Sequence, residues 1–137
     1  MNIFLDDIRY PNMSHNKNKG LGVDFSTSDK WVIVRDYFEF IDLVKRKFDK
    51  IKLVSFDHDL ACYKDGKEWT GKDASDFLIN HCLDHDKEFP DWYVHSDNTS
   101  GKSNIIGSIT NYLKVVENKD MSNFRYYNSG IVNNEPV

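Results

Sequence analysis

Long apolar runs are missing from this chain. No stretch approaches the ~18 apolar residues needed to span a bilayer, so no membrane-embedded function is expected. The first residues also lack a basic region followed by an apolar segment, and no secretory signal is expected. Met1 leads almost directly into a strand-like run, as expected of a cytoplasmic chain. Cysteine is scarce: Cys62 and Cys82 have neither the density of a disulfide framework nor CxxC spacing. Cys82 falls on the apolar side of a helical pattern and reads as a buried free thiol. Positive charge is in deficit, with 18 Lys and Arg against 22 Asp and Glu and a net charge of −4. That balance argues against broad DNA or RNA binding through a basic surface. A small phosphorylated ligand stays compatible, because a metal ion and a few local cations reverse the potential inside a cleft. No internal repeat or domain boundary is evident, and 137 residues suit one domain with one core. The aromatic share of 14% is high enough to build that core with few aliphatics.

What is present is a pattern of polar groups at the ends of apolar runs. Asp6-Asp7 ends the run Asn2 to Leu5, Asp57-His58-Asp59 ends the run Ile51 to Phe56, and His95-Ser96 ends Trp92-Tyr93-Val94. Such ends converge only if the runs lie side by side in a parallel sheet, where ligands bind outside the strand carboxyl ends. Carboxylates gathered there repel one another unless a cation or a shared proton neutralises them.

Strands are expected at 2–5, 31–34, 51–56 and 91–95. Asp36 with Glu39 forms a candidate capping box, followed by Tyr37, Phe40, Ile41, Val44 and Phe48 at helical spacing, so a helix is expected over 37–49. Ala74, Phe77, Leu78 and Cys82 mark a second helix over 72–84. Ile105, Ile106, Ile109, Leu113 and Val116 mark the buried side of a third over 102–117. The stretch 12–30 is polar and long for a compact domain, so it is expected to border the site. Residues 57–71 read as a loop with a turn at Lys64-Asp65-Gly66. The tail 118–137 either adds an edge strand or wraps the domain. Alternating strands and helices require right-handed crossovers. The expected fold is a flavodoxin-like or receiver-like three-layer α/β sandwich, with a mainly parallel sheet of about four strands in the order 2-1-3-4.

That order brings Asp6, Asp7 and Asp57 together as oxygen ligands for Mg²⁺ or Mn²⁺, completed by water and phosphate. Asp57 could also serve as a nucleophile, with Asp59 as a further ligand or acid-base group. His95 is the preferred imidazole for proton transfer, at a strand end beside Ser96. His58 either points toward Asp57 and Asp59 or away from them. His15, His81 and His85 read as loop or helix-surface residues. Ser96, Asn98, Gly101 and Lys102 lie at a helix N-terminus suited to anions. Ser100-Gly101-Lys102-Ser103 has the end of a P-loop, but the Walker pattern needs glycine where Ser96 stands, which excludes that class. Arg9 either clamps a phosphate bidentately or holds the aspartates by an ion pair.

Three ordered motifs carry a resemblance: Phe4-Leu5-Asp6-Asp7-Ile8-Arg9-x-Pro11, Ser55-Phe56-Asp57-His58-Asp59-Leu60 and Val94-His95-Ser96-x-Asn98. Over about residues 2–117 the chain resembles the cyclic-phosphate-processing receiver-like domains of bacteria and phages. That family is related to response-regulator receivers, and by motif Asp6 and Asp7 match the receiver acidic pair, Asp57 the phospho-acceptor and Ser96 the hydroxyl. Receivers also end a fifth strand with lysine, and none is evident after Val116. This departure counts against phosphorelay signalling, while Asp59 and His95 favour hydrolysis.

The resemblance implies a metal-dependent phosphoesterase acting on a cyclic phosphate, either of a nucleotide signal or of an RNA 2′,3′-cyclic phosphate end. A phage protein acting against a nucleotide-based defence is one setting for it. The alternatives are a sponge that sequesters a nucleotide messenger in the same cleft and, behind it, a phospho-accepting receiver domain.

Overall fold

The computed structural model describes residues 1–14, 25–26 and 30–117. The expectations for His15, for most of 12–30 and for the tail 118–137 lie outside them. Four strands form the main sheet: β1 (Asn2–Leu5), β2 (Trp31–Val34), β3 (Leu53–Phe56) and β6 (Asp91–Val94). They run parallel in the order β2-β1-β3-β6, which is the expected 2-1-3-4 arrangement. Leu5 pairs with Val34 and Phe56, and Phe56 with Val94, so all four strands end level. Helices α1 (Tyr37–Lys47) and α2 (Gly71–His85) connect β2 to β3 and β3 to β6, and α3 (Thr99–Tyr112) follows β6.

Side chains alternate across a strand, and the core divides accordingly. Ile3, Leu5, Val54, Phe56, Trp92 and Val94 face Phe40 and Val44 of α1, Leu78 of α2 and Ile105 and Ile109 of α3. On the opposite face Phe4, Trp31 and Tyr93 pack with Phe25, whose ring stacks on Trp31 at 5.1 Å. The result is a three-layer α/β sandwich: helices, parallel sheet, and a second covering layer to which Phe25 contributes. Each fully buried aromatic or aliphatic side chain of this kind contributes about 1.5–3 kcal/mol.

The helix starts follow from local chemistry. Asp36 accepts from the Glu39 amide (2.9 Å), while the Glu39 carboxylate reaches one residue further back than a capping box requires, to the Arg35 amide (2.8 Å). Thr70 and Asp73 form a full capping box at the start of α2. Asn98 caps α3 by accepting from the Gly101 amide (2.9 Å). That cap sets the helix start at Thr99, so Gly101 and Lys102 belong to its first turn rather than preceding it.

Three local expectations change. The α1 helix tightens into a 3-10 turn at Phe48–Lys50, and β3 begins at Leu53 rather than 51. The loop 57–71 contains a hairpin, β4 (Tyr63–Lys64) with β5 (Lys67–Glu68). Asp65 and Gly66 both take positive φ (55° and 74°) between its strands, as a type I′ turn requires. Val116 is not on the buried side of the third helix. The turn Leu113–Glu117 is π-wound, which rotates Val116 outward to 52% exposure while Leu113 stays buried. No helix among the described residues is long and apolar enough to cross a membrane.

Candidate metal and phosphate site

The hydrogen-bond ladder runs one residue past the strand ends. The Asp6 amide donates to Val34 O (3.1 Å), the Asp57 amide to Leu5 O (2.9 Å) and the His95 amide to Phe56 O (2.9 Å). Asp6, Asp57 and His95 are therefore the first residues beyond three adjacent strands. They share strand parity with Phe4, Ser55 and Tyr93, and so turn to the same side. One ligand atom from each lies within 4.8 Å of the others, and all three residues are buried. This Asp/Asp/His cluster could bind a divalent metal ion.

Asp6 is held on both oxygens. Its Oδ1 accepts from the amides of Ile8 (3.0 Å) and Arg9 (2.8 Å), and its Oδ2 lies 3.0 Å from His95 Nε2. Burial alone would raise its pKa. The bonds from His95 and from the two amides outweigh that and bring it down to about 2. A carboxylate only accepts, so Nε2 carries the proton that bonds Asp6, while Nδ1 lies 2.7 Å from the Ser55 hydroxyl. The imidazole stacks on Phe4 at 4.2 Å and its side chain is 0% exposed.

Asp57 stands in a different field. Burial pushes its pKa up and the nearby Asp6 adds to that, against the opposing pull of His95, the His58 amide and the Ser96 hydroxyl. Two adjacent carboxylates with opposite shifts leave Asp57 short of positive charge, which is what a cation would supply.

Above the trio lies a cleft of about 180 Å³ whose wall includes Asp6, Asp7, Arg9, Asp57, Asp59, Ser96, Asp97 and Asn98. Five of these residues are aspartates and one is an arginine, so a bare phosphate would be repelled. Asp7 lines the cleft but is outside the close trio. Arg9 donates from Nη2 to Asp97 Oδ2 at 2.7 Å, so its ion pair is with Asp97 and not with the strand-end aspartates. Lys102 is half-buried in the first turn of α3 and is not part of the cleft wall.

Asp59, like Asp97, is an exposed carboxylate of the wall. His58 Nδ1 lies 2.7 Å from its Oδ1, and Asn98 Nδ2 donates to both oxygens (3.1 and 3.2 Å). The His58 bond, ahead of a small desolvation penalty, lowers the pKa of Asp59. The His58 ring occupies the space a Cβ at Gly101 would take, and the Asp57 carbonyl occupies that of a Cβ at Gly71. Both glycines are thus required by close approach rather than by backbone conformation.

Residues 1–111 match the family model described as Cyclic-phosphate processing Receiver domain. The chain belongs to this family. No curated protein and no solved structure matches it. For this receiver domain, sequence reasoning missed Arg35. Its Nη1 donates to the carbonyls of Asp6 (3.1 Å) and Arg9 (2.6 Å), and its guanidinium lies 4.7 Å from the centre of the Tyr10 ring. The available signal was position: Arg35 directly follows β2, the neighbour of β1.

Proposed function

We propose that this receiver domain is a metal-dependent phosphoesterase that opens a cyclic phosphate, either of a nucleotide signal or of an RNA end. The observation that carries this reading is the buried cluster of Asp6, Asp57 and His95, two of which, Asp6 and Asp57, line an acidic cleft. Asp6 and Asp57 hold the ion, Asp7 completes the set from the cleft edge, and His95 orients Asp6 from behind. Mg²⁺ or Mn²⁺ bound there supplies Lewis-acid polarisation of a phosphoryl oxygen and a more acidic water.

The chain's own groups do the rest. Asp59, pre-oriented by His58 and Asn98, takes the proton of the attacking water. The water oxygen bonds to phosphorus, one ring P–O ester bond breaks, and the leaving oxygen takes up the proton that Asp59 accepted, giving a monoester. Ser96, Arg9 and Asn98 bind the non-bridging oxygens, and Lys102 adds positive charge from α3.

The test is incubation with nucleoside 2′,3′- and 3′,5′-cyclic phosphates and with RNA bearing a 2′,3′-cyclic end, each with Mg²⁺ or Mn²⁺. A monoester product is expected, with a loss of at least ~10²-fold in Asp57→Asn. Full hydrolysis by Asp57→Asn would overturn the proposal. Ligand retained and returned intact on denaturation would replace it with sequestration.

A further inference from the structure

A second concavity adjoins the acidic cleft and shares Asp7 with it. It measures about 540 Å³, and its wall includes Arg35, Asp36, Phe38, Tyr63 and Lys64. Its chemistry differs from that of the cleft: two aromatic rings and two cations accompany two carboxylates, where the cleft has five carboxylates and one cation.

The groove wall is built rather than incidental. Tyr37 stacks on Trp69 at 4.8 Å and Phe38 meets the same indole at 5.6 Å, so the start of α1 and the chain leaving the hairpin hold each other. Trp69 Nε1 donates to Lys64 O (3.2 Å) and its amide to Cys62 O (2.7 Å), which closes the hairpin. Lys64 Nζ lies 4.6 Å from the centre of the Phe38 ring. A two-stranded hairpin is marginal by itself in water, and these contacts are what fix it beside the cleft. Yet Tyr63, at its start, is 72% exposed. Ala61 turns the chain into the hairpin with φ of +48°, a left-handed conformation that costs a residue with a Cβ. Strain of that kind points to a placement serving something other than the core.

The ligand class follows from these groups. A planar ring with polar edges suits the exposed Tyr63 ring beside half-buried Phe38, an arginine and a lysine, since base stacking on such side chains is favourable and tolerant of sequence. The Asp36 carboxylate in the wall accepts from amino groups on such a ring. The contact through Asp7 places the ring next to a phosphate in the cleft. We infer that this groove is a nucleobase subsite, so that the substrate is a nucleoside cyclic phosphate whose base lies against Phe38 and Tyr63. The inference rests on the phosphoesterase reading of the adjacent cleft.

The test compares the four nucleoside 2′,3′-cyclic phosphates with a base-free control, 1-O-methylribose 2,3-cyclic phosphate, using the full chain with Mn²⁺. The nucleotides are expected to show kcat/KM at least tenfold above the control. Tyr63→Ala and Phe38→Ala should shrink that ratio below twofold, chiefly through KM. A short RNA with the same cyclic end, run in parallel, tells a free nucleotide from an RNA terminus as the source of the base. Because Tyr63 is exposed, its alanine variant should keep the wild-type circular dichroism and melting temperature. Equal turnover of nucleotide and base-free substrates would overturn the subsite and leave the phosphoesterase reading standing. If neither is hydrolysed, that reading fails, and calorimetric binding of nucleoside 3′-monophosphates decides the subsite. Binding weakened about tenfold by Tyr63→Ala supports it, and binding absent or indifferent to Tyr63→Ala overturns it.

Discussion

The imidazole of His58 fills the volume that any side chain at Gly101 would need, and from there it bonds Asp59. Position 101 therefore acts on the cleft through an intermediary. In Gly101→Ala the new methyl group forces the ring aside, which overpacks the first turn of α3 and releases Asp59. A stability loss of about 1–3 kcal/mol is expected from the overpacking, read from urea unfolding. Turnover of a cyclic phosphate should fall more steeply than stability at a temperature where the variant is still folded. Wild-type turnover in that variant would show that Asp59 needs no support from His58.

Metal binding should be visible without any substrate. Asp57 is buried with a raised pKa, and an ion beside it binds the folded chain in preference to the unfolded one. At a metal concentration of 100 times Kd the gain is about 2.7 kcal/mol, seen as a rise in melting temperature with Mn²⁺ or Mg²⁺. Asp57→Asn should lose that rise while melting no lower than the wild type in chelator, because the substitution removes a poorly neutralised buried charge. An undiminished metal shift in Asp57→Asn would place the ion elsewhere.

Acid unfolding of the metal-free protein should report Asp6. Its folded pKa is about 2 against an ordinary 3.8. The unfolded chain takes up the proton first, so the stabilisation is complete above the ordinary value and is lost as pH falls through about 2. The difference amounts to about 2 kcal/mol. Asp57 works in the opposite sense: its raised pKa makes stability fall as pH rises from 3.8 toward its folded value. Asp6→Asn should flatten the acid limb of a stability-against-pH curve, and an unchanged limb would contradict the assignment.

Ser55→Ala tests the buried support behind the trio. It removes the partner of His95 Nδ1 in a place water does not reach, leaving an unsatisfied ring nitrogen at a cost of about 1–3 kcal/mol. Urea unfolding measures it, and a change below about 0.5 kcal/mol would mean that the ring finds another partner.

Much of this arrangement was legible because it follows from periodicity. Apolar runs ending in Asp6, Asp57 and His95, joined by segments of helical spacing, leave few ways to build a sheet, and the order β2-β1-β3-β6 is one of them. Parity carried a further message. Asp6, Asp57 and His95 occupy the same position after their strands, whereas Asp7 and His58 are one residue out of phase and lie outside the close trio. The hairpin was harder to see, since Asp65-Gly66 has the right turn chemistry but its flanking residues are exposed on both sides and show no alternation. The contact between His58 and Gly101 joins residues 43 positions apart in the chain, and no local pattern announces it. Val116 misled because a π-turn breaks the spacing on which its assignment depended.

The three strand-end residues are fixed by the sheet's own ladder, whereas the hairpin beside them is tied on through Trp69. Changes in the hairpin can therefore leave in place the strand-end cluster that could hold an ion. A chimera carrying a foreign turn between Cys62 and Trp69 should show the wild-type rise in melting temperature with Mn²⁺ while its preference among nucleoside cyclic phosphates changes.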